Sequence, residues 1–266
     1  MLTNALLSYG IASLVGILGF TICVFVLKKQ KLKFKILHFL LGLVFILAAL
    51  IAVLQIFKLA FASDVELSSN ISLSYRVTVF TIIILATSLI RYLIARFGYF
   101  KEQRYDKGSS FIFGFGAGIA GAVTFYNIFL FIYVGITSAT SRFIEYRTEN
   151  NMLAFENGTE IPVFEPVWSH ISITVISVLF MFLQICLIIY FLKTHTKNVK
   201  WYFSLLLYLV ISILEAVLLN LLMFGIQYIA HWQIALVFAV ILGICCAGVF
   251  LLPIAKEEPP YTKQFE

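Results

Sequence analysis

Two residues stand where hydrocarbon should not tolerate them. Glu215 lies in the apolar stretch ISILEAVLLN, and Arg91 lies in ATSLIRYLIARF. An ionisable group at bilayer depth costs about 3 kcal/mol on insertion scales, which makes each a functional candidate. A carboxylate so placed can accept a proton, ligate an ion or serve in catalysis. It can equally be a glutamic acid kept neutral by burial, or the partner of Arg91. At 1.5 Å per residue, Glu215 sits about 20 Å from the start of its run and Arg91 about 10 Å from the inner end of its own. Arg91 is expected either to bridge part of that gap or to snorkel to the inner interface.

The remaining chemistry is sparse. Asn127, Gln184 and Asn220 also sit at depth, where they line a cavity or bond between helices. The four histidines are dispersed: His38 and His195 near one interface, His170 and His231 near the other. No HExxH or HxxxE/D pair exists, so no ordinary zinc site is visible. A constellation of His170, His231 and Glu165 remains geometrically possible.

The elements that must position these residues are long apolar runs. Of 266 residues, 62% are hydrophobic and 12% charged, and the mean hydropathy is +1.01. A soluble domain carries about 25% charged residues, so the solvent here must be largely lipid. Seven runs meet the roughly 20 apolar residues a bilayer requires. They are 6–27, 36–62, 78–98, 111–136, 168–192, 201–225 and 230–255. The expectation is an all-α, polytopic bundle of seven transmembrane helices filling residues 1–255, with a short tail over 256–266. The first run lacks a basic leader and reads as a membrane helix rather than a cleaved signal.

Orientation follows from the basic residues. Fourteen of the 19 lysines and arginines fall in the loops after the first, third and fifth runs and in the tail. Four fall on the other side, and Arg91 lies within a helix. This asymmetry places the C-terminus in the cytoplasm and the N-terminus outside. Trp168, Trp201 and Trp232 begin runs at the interfaces, as aromatic anchors do. The net charge of +6 is thereby explained by topology, and nucleic acid is not an expected partner. Cys23, Cys186, Cys245 and Cys246 lie inside apolar runs and read as packing residues. On the outer side, residues 138–167 form an acidic loop with Glu145, Glu149, Glu156, Glu160 and Glu165. Asn70 and Asn157 open glycosylation sequons there, which would carry no meaning in a bacterial chain.

The fourth run, FIFGFGAGIAGAV, presents Gly114, Gly116, Gly118 and Gly121. Small residues at this spacing allow close backbone approach between membrane helices, and also suit a groove for a substrate helix. Together with RYLIARFGYFKEQRYDKGSS before it, this stretch resembles the YhfC family of bacterial intramembrane metalloproteases, akin to the CAAX-protease and bacteriocin-processing superfamily. In that family a glutamate pair precedes Arg-Tyr, and a Gly-x-Gly-His-Gly-x-x-Glu helix follows a basic loop.

Arg91-Tyr92 and the glycine frame match, whereas Thr87-Ser88, Ala117 and Gly121 stand where the family's acids and histidine would be. His170 and Glu215 match later family positions, with Ile211 in place of a histidine. The resemblance spans residues 75–225. It implies a catalytically degenerate member that binds membrane segments or partner proteins in the bacterial cell membrane, without a cofactor. Two alternatives stay open: an active protease holding zinc through relocated ligands such as His170, and a small transporter using Glu215.

Overall fold

The computed structural model describes residues 1–29, 33–61, 73–163, 169–196, 200–220 and 222. Six helices occur among them: α1 (Leu2–Lys29), α2 (Ile36–Phe61), α3 (Leu73–Leu93), α4 (Tyr105–Thr140), α5 (Ser169–Thr196) and α6 (Trp201–Asn220). They coincide with the first six apolar runs. The expected seventh run, 230–255, and the tail lie outside the described residues. Four helical stretches are long and apolar enough to cross a membrane: Leu2–Lys28, Val77–Phe100, Tyr105–Thr140 and Ser169–Leu192. α2 and α6 contribute shorter apolar segments, Ile36–Ala49 and Ser204–Asn220. The first proline of the chain is Pro162, so nothing breaks the backbone ladder of α1 to α4.

Two departures from the sequence expectation are informative. α3 does not stop near residue 98 in an α-helical turn; it continues as a π-helical segment, Ile94–Phe100. The 138–167 loop is not purely irregular, so the all-α expectation fails locally. α4 extends to Thr140, and β1 (Phe143–Arg147), β2 (Met152–Phe155) and β3 (Glu160–Pro162) form an antiparallel sheet in that order. In β3 the buried Ile161 stands between exposed Glu160 and Pro162, as strand alternation requires, whereas β2 is buried throughout Leu153, Ala154 and Phe155. Tight turns with Asn151 (φ 53°) and Gly158 (φ 79°) join the strands. The buried side chains of the sheet pack with Ala5, Tyr9, Leu130 and Val134, covering one end of the bundle. On its outer face Arg147 donates to Glu145 (2.9 Å) and Glu160 (2.5 Å). The hydrogen bond to Glu145 and the charge of Glu160 raise the Arg147 pKa above its ordinary value.

α4 is the central post, packed against α1, α2 and α5, while α3 pairs with α6. The glycines explain how closely these helices approach. A Cβ on Gly114 would lie 2.1 Å from the Phe39 carbonyl oxygen, and one on Gly42 would lie 2.0 Å from that of Phe111. α2 and α4 therefore touch backbone to backbone at reciprocal glycines. Gly118 faces Ile46 of α2, and Gly116 faces Gln184 of α5. Gly121 meets only the Phe20 ring, at 3.6 Å. The small faces of α4 are filled by the protein's own helices, so they act here as packing faces rather than an open groove.

Candidate functional site

α3 and α6 run antiparallel and are bonded at several levels. Asn220 donates to Thr81 (2.9 Å), Ser88 to Glu215 (2.8 Å), and the Tyr92 hydroxyl to the Trp201 carbonyl (3.0 Å). At one of these levels Arg91 and Glu215 meet. Arg91 Nη2 lies 2.5 Å from Glu215 Oε2 and 2.6 Å from Oε1, and both residues are fully buried.

The snorkelling alternative is thereby overturned, and the reason is geometric. Helical side chains lean toward the N-terminus of their own helix. In an antiparallel pair, Arg91 and Glu215 therefore lean toward each other. Snorkelling to the nearer end of α3 would have required Arg91 to lean the opposite way.

The ion pair is completed by α5 and by hydroxyls. Gln184 accepts from Arg91 Nη1 (2.7 Å) and donates to Glu215 Oε1 (2.6 Å). The Tyr208 hydroxyl accepts from Arg91 Nε (3.1 Å) and Nη2 (2.8 Å), and donates to the Ser88 carbonyl (2.8 Å). The guanidinium carbon lies 4.3 Å from the centre of the Phe115 ring of α4. Each Glu215 oxygen thus accepts two hydrogen bonds, from Arg91 and Gln184 on one side and from Arg91 and Ser88 on the other. Buried charges persist in this way only when paired and hydrogen-bonded.

His170 belongs to a second cluster. Its Nδ1 lies 3.1 Å from Asn127 Oδ1, and Asn127 donates to Thr174 (2.9 Å) and to the Val123 carbonyl (3.0 Å). Tyr9 meets the imidazole edge-on with ring centres 4.6 Å apart, and its buried hydroxyl has no hydrogen-bond partner among the described residues. Gln184, which touches Glu215, follows His170 by 14 residues. That is about 21 Å along α5, so the two clusters do not form one site.

The sequence-flagged residues fall out as follows. Arg91, Glu215 and Gln184 come together; His170 and Asn127 come together elsewhere; Asn220 bonds α6 to α3. Asn127, Gln184 and Asn220 all bond between helices. Tyr208, Thr174 and Tyr9 were not foreseen. Tyr208 had a signal, since Tyr208, Ser212 and Glu215 recur at spacings of four and three on one helical face. His231 and Glu165, the other members of the possible histidine constellation, lie outside the described residues. Among the described residues, no group of three or more His, Cys, Asp or Glu is placed to hold a metal.

The positions matched to the family's catalytic groups have other occupations. Thr87 bonds the Ile83 carbonyl, Ser88 bonds Glu215, and Ala117 packs in the core. A small apolar cleft of about 20 Å³, lined by Ile46, Phe80, Thr87, Phe115 and Leu219, lies between α2, α3, α4 and α6. Phe115 is shared by this cleft and by the face that carries Arg91. Comparison of the chain with protein-family models, with curated proteins and with solved structures finds no match.

Proposed function

We propose that the chain is a seven-helix protein of the bacterial cell membrane, N-terminus outside, that binds membrane segments or partner proteins without catalysis. The observation that carries this reading is the hydrogen-bond state of Glu215. Both carboxylate oxygens are occupied by donors of the protein, so a metal or an activated water could bind only by dismantling the contacts among α3, α5 and α6. The residues at the family-like positions support the same reading, because Thr87, Ser88 and Ala117 are committed to helix and core contacts. In this view the chain is a degenerate relative of the YhfC-type proteases that keeps a helical framework. The transporter alternative requires Glu215 to exchange protons or ions. Its enclosure by Arg91, Gln184, Ser88 and Tyr208 favours a structural role instead.

The decisive experiment is the metal content of the purified, detergent-solubilised protein, for wild type and His170→Ala. Substoichiometric metal in both is expected. One zinc per chain, lost on substitution, would establish a relocated metal site and make the chain an enzyme. A phenotype abolished by Glu215→Gln at unchanged abundance would instead support the transporter.

A further inference from the structure

Two loops far apart in sequence are joined at the end of the bundle opposite the sheet. The Lys33 amide donates to Asp106 Oδ1 (2.9 Å), and the Lys35 amide to Ser110 Oγ (2.9 Å). One turn into α2, His38 Nδ1 lies 3.0 Å from the Tyr99 hydroxyl of the π-helical segment. These contacts gather Lys33 and Lys35 beside Lys101, Arg104 and Lys107. Among the described residues of these two loops, five cations thus share one rim with two acids, Glu102 and Asp106. Both acids are engaged: Glu102 pairs with Arg104 (2.9 Å), and Asp106 holds the loop amide. α4 starts at Tyr105 without a side-chain cap, which adds the positive end of its dipole to the rim. The opposite end differs, because there Arg147 is bracketed by Glu145 and Glu160.

The neighbours of these cations identify the kind of anion. Phe34, Ile36, Leu37 and Phe97 are 55%, 68%, 64% and 43% exposed, and they alternate with the basic residues. Trp201 and Tyr202 are exposed at the same end, with the Lys200 ammonium 5.9 Å from the Tyr202 ring centre. Positive charge and exposed apolar surface at one level match a phosphate that carries acyl chains, whereas a free phosphate would need only the charge. We propose that this rim, built from Lys33, Lys35, Lys101, Arg104 and Lys107, is a binding site for the headgroup of an anionic phospholipid. The site stands apart from the noncatalytic reading above and does not depend on it.

Native mass spectrometry of the full chain in micelles doped with phosphatidylglycerol or phosphatidylcholine tests the proposal. Each basic residue at a membrane surface contributes about fivefold in partition, so with two or more of the five engaged, wild type is expected to retain phosphatidylglycerol at least about tenfold better than phosphatidylcholine. K33Q/K35Q/R104Q/K107Q is expected to lose that preference, and R142Q/R147Q at the other end to keep it. The loop is held through main-chain amides, so the glutamine variants preserve its anchoring. K33Q and K107Q alone are expected to give partial losses, which keeps the result readable if the quadruple variant folds poorly. Unchanged retention in the quadruple variant and in both single variants, or equal loss in R142Q/R147Q, would overturn the site. So would displacement of the lipid by millimolar inorganic phosphate.

Discussion

The two buried polar clusters of this bundle solve the same problem to different standards. The Arg91–Glu215 cluster joins α3, α5 and α6 and carries full charges, and its carboxylate and guanidinium are met on every side. The His170–Asn127 cluster joins α1, α4 and α5 beneath the sheet, is built of amide, hydroxyl and ring groups, and leaves the Tyr9 hydroxyl without a partner among the described residues. Desolvation explains the contrast. An unpaired ion in hydrocarbon costs far more than an unpaired hydroxyl, so packing must satisfy the first and can tolerate the second.

The largest test of that contrast removes one ion. Arg91→Met strands the Glu215 carboxylate and is expected to cost about 3–5 kcal/mol of unfolding free energy in mixed micelles. The double variant Arg91→Met/Glu215→Leu is expected to recover most of that loss, since both charges are gone. Additive effects of the two single changes would show that the pair is not coupled.

A smaller effect asks whether the charged cluster depends on helix packing beneath it. A Cβ on Gly116 would come within 2.4 Å of Gln184 Cγ, whereas on Gly121 it would meet only an ordinary ring contact. Gly116→Ala is expected to cost about 1–3 kcal/mol through overpacking. Gly121→Ala should stay within about 0.5 kcal/mol of wild type. Equal effects at the two glycines would remove the proposed link between α4–α5 packing and the network.

The smallest effect is expected where the His170–Asn127 cluster is already incomplete. Tyr9→Phe deletes a hydroxyl with no partner among the described residues and should shift stability by less than about 0.5 kcal/mol. Asn127→Ala, which removes the side-chain contacts to Thr174 and His170, is expected to cost about 1–3 kcal/mol. Comparable losses from both would mean that the Tyr9 hydroxyl has a role its geometry does not reveal.

Much of the architecture was legible because lipid restricts what a chain can do. Backbone groups in hydrocarbon must bond within a helix, so apolar runs became α1 to α6 within a few residues. The sheet over Phe143–Pro162 was less legible: strands of five, four and three residues give a weak periodic signal. The π-helical segment after α3 gave no signal, because its hydrogen-bond shift reflects the docking of Tyr99 and Phe100 against α2, α4 and α5.

By itself the sequence determined that the chain is helical and rich in apolar runs of membrane-spanning length. It also determined that Arg91, Glu215, Gln184, Asn127 and His170 had to be accounted for, since their cost in hydrocarbon follows from residue type alone. Only the tertiary structure decided who partners whom. Arg91 reaches Glu215 because α3 and α6 are antiparallel neighbours whose side chains lean together, and Tyr208 and Ser88 join because the register brings them there. His170 is kept apart by the length of α5. Those pairings depend on distances between helices, which no local pattern in the chain encodes.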